Sequence, residues 1–183
     1  MSTDLKQVFS QNQSGLAQQP QQALVTFEVE SHGLDGLHRR VSIRDFSVEV
    51  DEPPLLGGTD RAANPVEYAL VALATCQEIT YRLHAAALGI PLTDVSVKLA
   101  GDVDLRGFFR VADEVRPGFT EIRGEVRFDS TASLEQLRHL KKVVDAHCPV
   151  LDLFRNATPV KLEAVGLDRV PVAKEVVSLA RGH

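Results

Sequence analysis

Apolar and polar positions alternate along this chain with first one period and then another, and the switches mark out its elements. The run Leu24-Val25-Thr26-Phe27-Glu28-Val29-Glu30 predicts a strand, and Gly33-Leu34-Asp35-Gly36 predicts the turn that follows it. A longer strand comes next with Val41 and Ile43 on one face; the phase slips by one at Arg44-Asp45 and resumes at Phe46, Val48 and Val50. A one-residue slip in a period-two pattern predicts a bulge or a break between two strands. Pro53-Pro54 and Gly57-Gly58 close the run.

The period then becomes helical. Asn64 is placed to cap a helix, Pro65 suits its first position, and Glu67 stands three residues after the cap. Gly89 can take the left-handed position at the other end, and Pro91 blocks continuation. The first half of this helix is apolar nearly all round, which predicts burial on all sides: a central helix covered by sheet or by a second subunit. Two strands follow, Val95–Leu99 running on towards Val103 and Leu105, then one with Ile122, Val126 and Phe128 on a face. Ser133 and Gln136 form a capping-box pattern ahead of a helix with Leu134, Leu137, Leu140 and Val144 on one stripe. A short helix from Pro149 to Arg155 and a strand alternating Val160, Leu162 and Ala164 complete the pattern. The order β-β(-β)-α-β-β-α-α-β is an α+β layout rather than a series of βαβ units.

Three divisions follow: a flexible glutamine-rich arm over 1–22, in which Leu5, Val8 and Phe9 can form one short amphipathic turn or helix, a domain over 23–166, and a tail over 167–183 that can form a surface helix. At 183 residues the chain can bury one core, and 44% apolar with 25% charged residues is ordinary for a globular protein. A net charge of −5 and a pI near 5.7 argue against nucleic acid or an anionic membrane as the main partner. No apolar run approaches a membrane span and the start lacks a signal-peptide pattern, so a cytoplasmic location is expected.

Candidate chemistry rests on two cysteines. Cys76 lies mid-helix among apolar residues, where burial raises a thiol's pKa and leaves it inert unless charged partners arrive from elsewhere. Cys148, in His147-Cys148-Pro149-Val150, stands where one helix ends and another begins; as an N-cap it would gain from the following backbone N–H groups, so local physics alone favours Cys148 as the nucleophile. His147 beside it could be an acid–base partner or a ligand, but no metal-site spacing accompanies it, and His84 reads as packing or surface. No phosphate-loop spacing is present, and neither a cofactor nor a metal is expected.

The pieces Gly57-Gly58-Thr59, Asn64-Pro65-Val66-Glu67, Ala72-Leu73-Ala74-Thr75-Cys76, Gly89-Ile90-Pro91, His147-Cys148-Pro149-Val150 and Asn156-Ala157-Thr158-Pro159 resemble, in order and spacing, the OsmC/Ohr family of osmotically inducible and organic hydroperoxide resistance proteins. The resemblance implies an OsmC-like fold, with antiparallel sheets wrapped around central helices in an intertwined homodimer. It implies that Cys76 attacks an organic hydroperoxide, that Cys148 resolves the resulting sulfenic acid into a disulfide, and that a dithiol reduces it. It also implies a glutamate and an arginine beside the thiolate. Glu67 matches the glutamate with a displacement of one residue; Leu34 stands where the arginine is expected, leaving Arg39, Arg40 and Arg44 as substitutes. The alternative is a non-peroxidase of the same fold that binds an apolar small molecule or senses redox state.

Overall fold

The structure is a computed structural model and describes residues 4–164. Three short strands, β1 (Glu30–Asp35), β2 (His38–Ile43) and β3 (Phe46–Val50), form an antiparallel meander. The phase slip at Arg44-Asp45 is a break rather than a bulge: Ile43 pairs with Phe46 across a two-residue turn in which Arg44 adopts φ 54°. The strand expected over 24–30 begins only at Glu30, and the turn falls at Gly36-Leu37. Pairing explains both shifts. Glu30 is opposite Ser42, near the end of β2, so the residues before it have no backbone to face.

The first helix, α1 (Leu5–Gln18), occupies most of the segment expected to be a flexible arm. Asp4 caps it by accepting from the Lys6 and Gln7 N–H groups, and Phe9 sets its ring edge-on to His84 at 5.2 Å. Glutamine has good helix propensity, so a polar composition does not by itself exclude a helix.

The long helix α2 (Pro65–Leu88) has the expected caps. Asn64 and Glu67 form a reciprocal capping box, and Gly89 takes φ 67°. Its burial differs from expectation. One face, through Leu73, Gln77, Thr80, Tyr81 and Ala85, is buried, but Val71 and Ile79 on other faces, and Val66 and Leu88 at the two ends of the helix, are exposed in the protomer.

The buried face packs on a two-stranded antiparallel ribbon, β4 (Asp94–Val103) with β5 (Phe119–Asp129), whose connection contains the short helix α3 (Leu105–Phe108). Leu105, expected near the end of a strand, belongs to that helix. Next come α4 (Leu134–His147), capped by Ser133 and Gln136 as the sequence predicts, and α5 (Pro149–Arg155). Leu140 and Val144 of α4 join Tyr81, Ala85, Ile90, Val95 and Cys148 in one apolar core. No strand forms at Val160-Leu162-Ala164: the segment after α5 is exposed and has no partner strand among the described residues. The surface helix expected in the tail lies outside the described residues.

Candidate functional site

Cys76 and Cys148 meet. Cys76 projects from the middle of α2, and Cys148 ends α4 while capping α5; their Sγ atoms lie 3.5 Å apart across a chain separation of 72 residues. Both are free thiols, Cys148 buried and Cys76 partly so. The contact follows from packing: α2 lies against both α4 and α5, so the junction between those two helices falls on the α2 face that carries Cys76.

The electrostatics divide unevenly between the two sulfurs. Burial pushes the Cys76 thiol up, and neighbouring Cys148 pushes it further. Opposing them are the backbone N–H of Val150, in the first turn of α5, and the Thr80 hydroxyl. The net result is a pKa above the ordinary thiol value. Thr80 is buried, and its Oγ1 donates to the Cys76 carbonyl at 2.6 Å, fixing it one turn along α2. On sequence grounds the α5 N–H groups belong to Cys148, their N-cap. Yet Cys148 makes no side-chain capping hydrogen bond, and the Val150 N–H instead favours the thiolate of Cys76, 72 residues away in the chain.

The charged partners expected beside Cys76 are elsewhere in the protomer. Glu67 is spent on the capping box, its carboxylate accepting from the Asn64 N–H at 2.8 Å. It precedes Cys76 by nine residues, which on a helix is ~13 Å along the axis and roughly half a turn round it. Arg39 donates to the Gly36 and His38 carbonyls, Arg40 pairs with Glu49 at 2.9 Å, and the Arg44 guanidinium lies 5.3 Å from the Phe46 ring centre. Among the described residues no arginine is one of the groups that shift the Cys76 thiol.

His147 turns from the cysteines to stack on His84, ring centres 5.6 Å apart and planes 19° from parallel. Burial and the neighbouring His147 both hold His84 below its usual pKa. Among the described residues no group of three or more His, Cys, Asp or Glu side chains is placed to hold a metal ion, and no helix is long and apolar enough to cross a membrane.

Behind the site, Asp51 anchors the loop that leads into α2. Its carboxylate is almost fully buried and accepts from the Thr59 hydroxyl at 2.6 Å and from the Glu52, Thr59 and Arg61 N–H groups. Gly58 passes so close to Glu52 that a Cβ there would fall 1.8 Å from its carbonyl oxygen. The Gly57-Gly58-Thr59 piece is therefore a packed support for the start of α2.

The OsmC-like protein family model matches residues 58–163, more than half of the chain and both cysteines. The chain belongs to the OsmC-like family. Similar folds include an OsmC-like protein from Mycoplasma pneumoniae (16% identity, TM-score 0.63, covering 73% of this chain and 89% of that one). An organic hydroperoxide resistance protein OsmC from Legionella pneumophila is 23% identical, with a TM-score of 0.58 over 76% of this chain and 96% of the other. An organic hydroperoxide resistance protein from Elizabethkingia anophelis is 20% identical, with a TM-score of 0.57 over 76% and 94%. No curated protein matches the sequence. At these identities the structural likeness establishes the fold, and it agrees with the α+β, OsmC-like architecture expected from the sequence.

Proposed function

We propose that this OsmC-like protein is a cysteine-based peroxidase that reduces organic hydroperoxides to alcohols, working as a homodimer in the cytoplasm. The observation that carries the reading is the 3.5 Å approach of the Cys76 and Cys148 sulfurs. The Cys76 thiolate attacks the distal peroxide oxygen; the O–O bond breaks, and the departing alkoxide takes a proton to become the alcohol. Cys76 is left as a sulfenic acid, and Cys148 attacks its sulfur, expels water and closes a disulfide. An external dithiol returns both thiols. Hydroperoxide resistance in the names of two structural relatives supports the substrate class.

Among the described residues no cation acts on the Cys76 thiol, and a second copy is one source of the positive charge the reading asks for. The exposed apolar side chains of α2 agree with such a copy. Glu67, held in its cap within the protomer, can take the role the resemblance gives it only toward a second copy.

One equivalent of cumene hydroperoxide tests the chemistry. Intact mass should fall by two hydrogens as the disulfide forms, Cys148→Ser should accumulate a dimedone-trappable sulfenic acid on Cys76, and Cys76→Ser should be unreactive. A Cys76→Ser protein that reacts at the wild-type rate overturns the assignment of the nucleophile. The raised Cys76 thiol favours one competing reading, a slow redox-sensing pair on the same fold. Disulfide formation with no sustained turnover in excess dithiol would select it.

A further inference from the structure

Three aromatic rings join three helices at a place the peroxide chemistry does not use. Phe9 of α1 meets His84 of α2 with ring centres 5.2 Å apart, and His147 of α4 stacks on the same His84 at 5.6 Å. Little else holds α1. Leu5, Val8 and Phe9 are half-buried, and every other residue of the helix is exposed. A helix of 14 residues is marginal in water by itself, and Gly15 lowers its propensity further, so α1 depends on this contact with α2. Residues 23–29, which lead from α1 to β1, are exposed and pair with no strand among the described residues. The helix can therefore come away from α2 and melt without disturbing the sheet.

We infer that α1 is an acid-released latch: the stacked His84–His147 pair holds Phe9 while its rings are neutral and lets α1 go when it takes up protons. The latch rests on neither the peroxide chemistry nor a second copy. Imidazole is the side chain whose charge changes between pH 5 and 8. His84 is half-buried and lies beside a second imidazole, and both circumstances hold it below its usual pKa. Among the described residues no carboxylate offsets them. Glu78 accepts from the Val97 N–H, Asp94 pairs with Arg82, Asp145 pairs with Lys141, and Asp4 caps α1. Neither these groups nor Lys6 shifts His84; His147 is the one charge that does. A histidine whose pKa is lowered by docking supports docking in full above its ordinary value, near pH ~6.5, and the support is lost as pH falls through the docked value. That window lies above the range in which the Asp4 cap loses its charge.

Hydrogen exchange of the reduced full-length protein, read by mass spectrometry and corrected for intrinsic rates, tests this at pH 7.5 and pH 5.5. One pH unit below the ordinary histidine value, a ring that stays neutral only when docked weakens docking ~10-fold. Protection of the α1 amides should fall by about that factor, while α2 and α4 keep theirs. His84→Phe leaves a ring for Phe9 and cannot titrate, so its α1 should be equally protected at both pH values. Where that variant fails to fold, His84→Gln serves, and its α1 protection should likewise be independent of pH. An α1 without protection at pH 7.5, or with protection that does not change in acid, would overturn the inference. So would protection that rises in acid, as a cation–π contact of protonated His84 with Phe9 would make it. Loss of α2 and α4 protection in step with α1 would also overturn it, as would acid release that survives undiminished in the folded His84 variant.

Discussion

Replacing Val150 with proline deletes the backbone N–H that holds the Cys76 thiol down and little else. Val150 is the second residue of α5, where helical N–H groups have no intrahelical partner and a pyrrolidine ring is tolerated. A hydrogen bond to a charged group is worth about 1.5–3 kcal/mol, and ~1.4 kcal/mol is a factor of ten in an equilibrium, so the Cys76 pKa should rise. Below that pKa the thiolate fraction falls ~10- to 100-fold. Intrinsic nucleophilicity rises with basicity at a Brønsted slope of about 0.4–0.5, leaving a net slowing of roughly 3- to 15-fold. The comparison is Val150→Ala, which trims the side chain and keeps the N–H. Both belong in a Cys148→Ser background, titrated by thiolate absorbance and by the pH profile of alkylation, with melting curves to detect fraying caused by a second proline directly after Pro149. Superimposable titrations of the proline and alanine variants would show that the helix start does not tune Cys76, and the preference for it over Cys148 would lose its local basis.

Three further outcomes follow from the same structure. Glu67→Ala should cost about 1 kcal/mol of stability through loss of the capping box and leave the Cys76 alkylation profile unmoved; a shifted profile would show that Glu67 reaches a thiolate of the second copy. Tyr81→Phe removes a buried hydroxyl with no partner and should stabilise the protein by about 1–2 kcal/mol in chemical denaturation, whereas a destabilised variant would mean that the hydroxyl is bonded in the assembled protein. Asp51 is held well below the usual carboxylate range, chiefly by the Thr59 hydroxyl, so the stability it contributes is complete above the unfolded value near pH ~4 and is lost as pH falls towards the folded one. In melting curves taken downward from pH 5, Asp51→Asn should be less stable than wild type and should show a flatter pH dependence over that window.

What the sequence made legible was mostly local. Asn64, Pro65, Glu67 and Gly89 bound α2 by chemistry within a few residues of each end, and Ser133 with Gln136 did the same for α4. Strand limits were less legible because a strand ends where its partner ends. The residues before Glu30 alternate well enough but run past β2, and Val160-Leu162-Ala164 alternates beside no strand among the described residues. Of α1 only a short amphipathic turn through Leu5, Val8 and Phe9 was legible, because its full length rests on the propensity of polar residues and on the Asp4 cap rather than on an apolar stripe. At the candidate site, the order of motifs pointed to the two cysteines, but the gift of a Val150 N–H to Cys76 could not be read from sequence. It depends on where α5 lands on α2, and the donor is a backbone group that any non-proline residue provides.

The 72-residue separation of the two cysteines has a thermodynamic consequence. Joined by a disulfide, they would close a loop whose lost freedom in the unfolded chain is worth about 4 kcal/mol on the chain-entropy account. The cycle linking folding to oxidation is closed, so whatever the bond adds to the fold, the fold returns to the bond. The folded protein should therefore hold its disulfide against reductants by about 90 mV more than the unfolded chain would. Packing that brings α2 against the α4–α5 junction thus sets how strong a reductant must be to reopen such a disulfide, and anything that loosens the packing makes the oxidised pair easier to reduce.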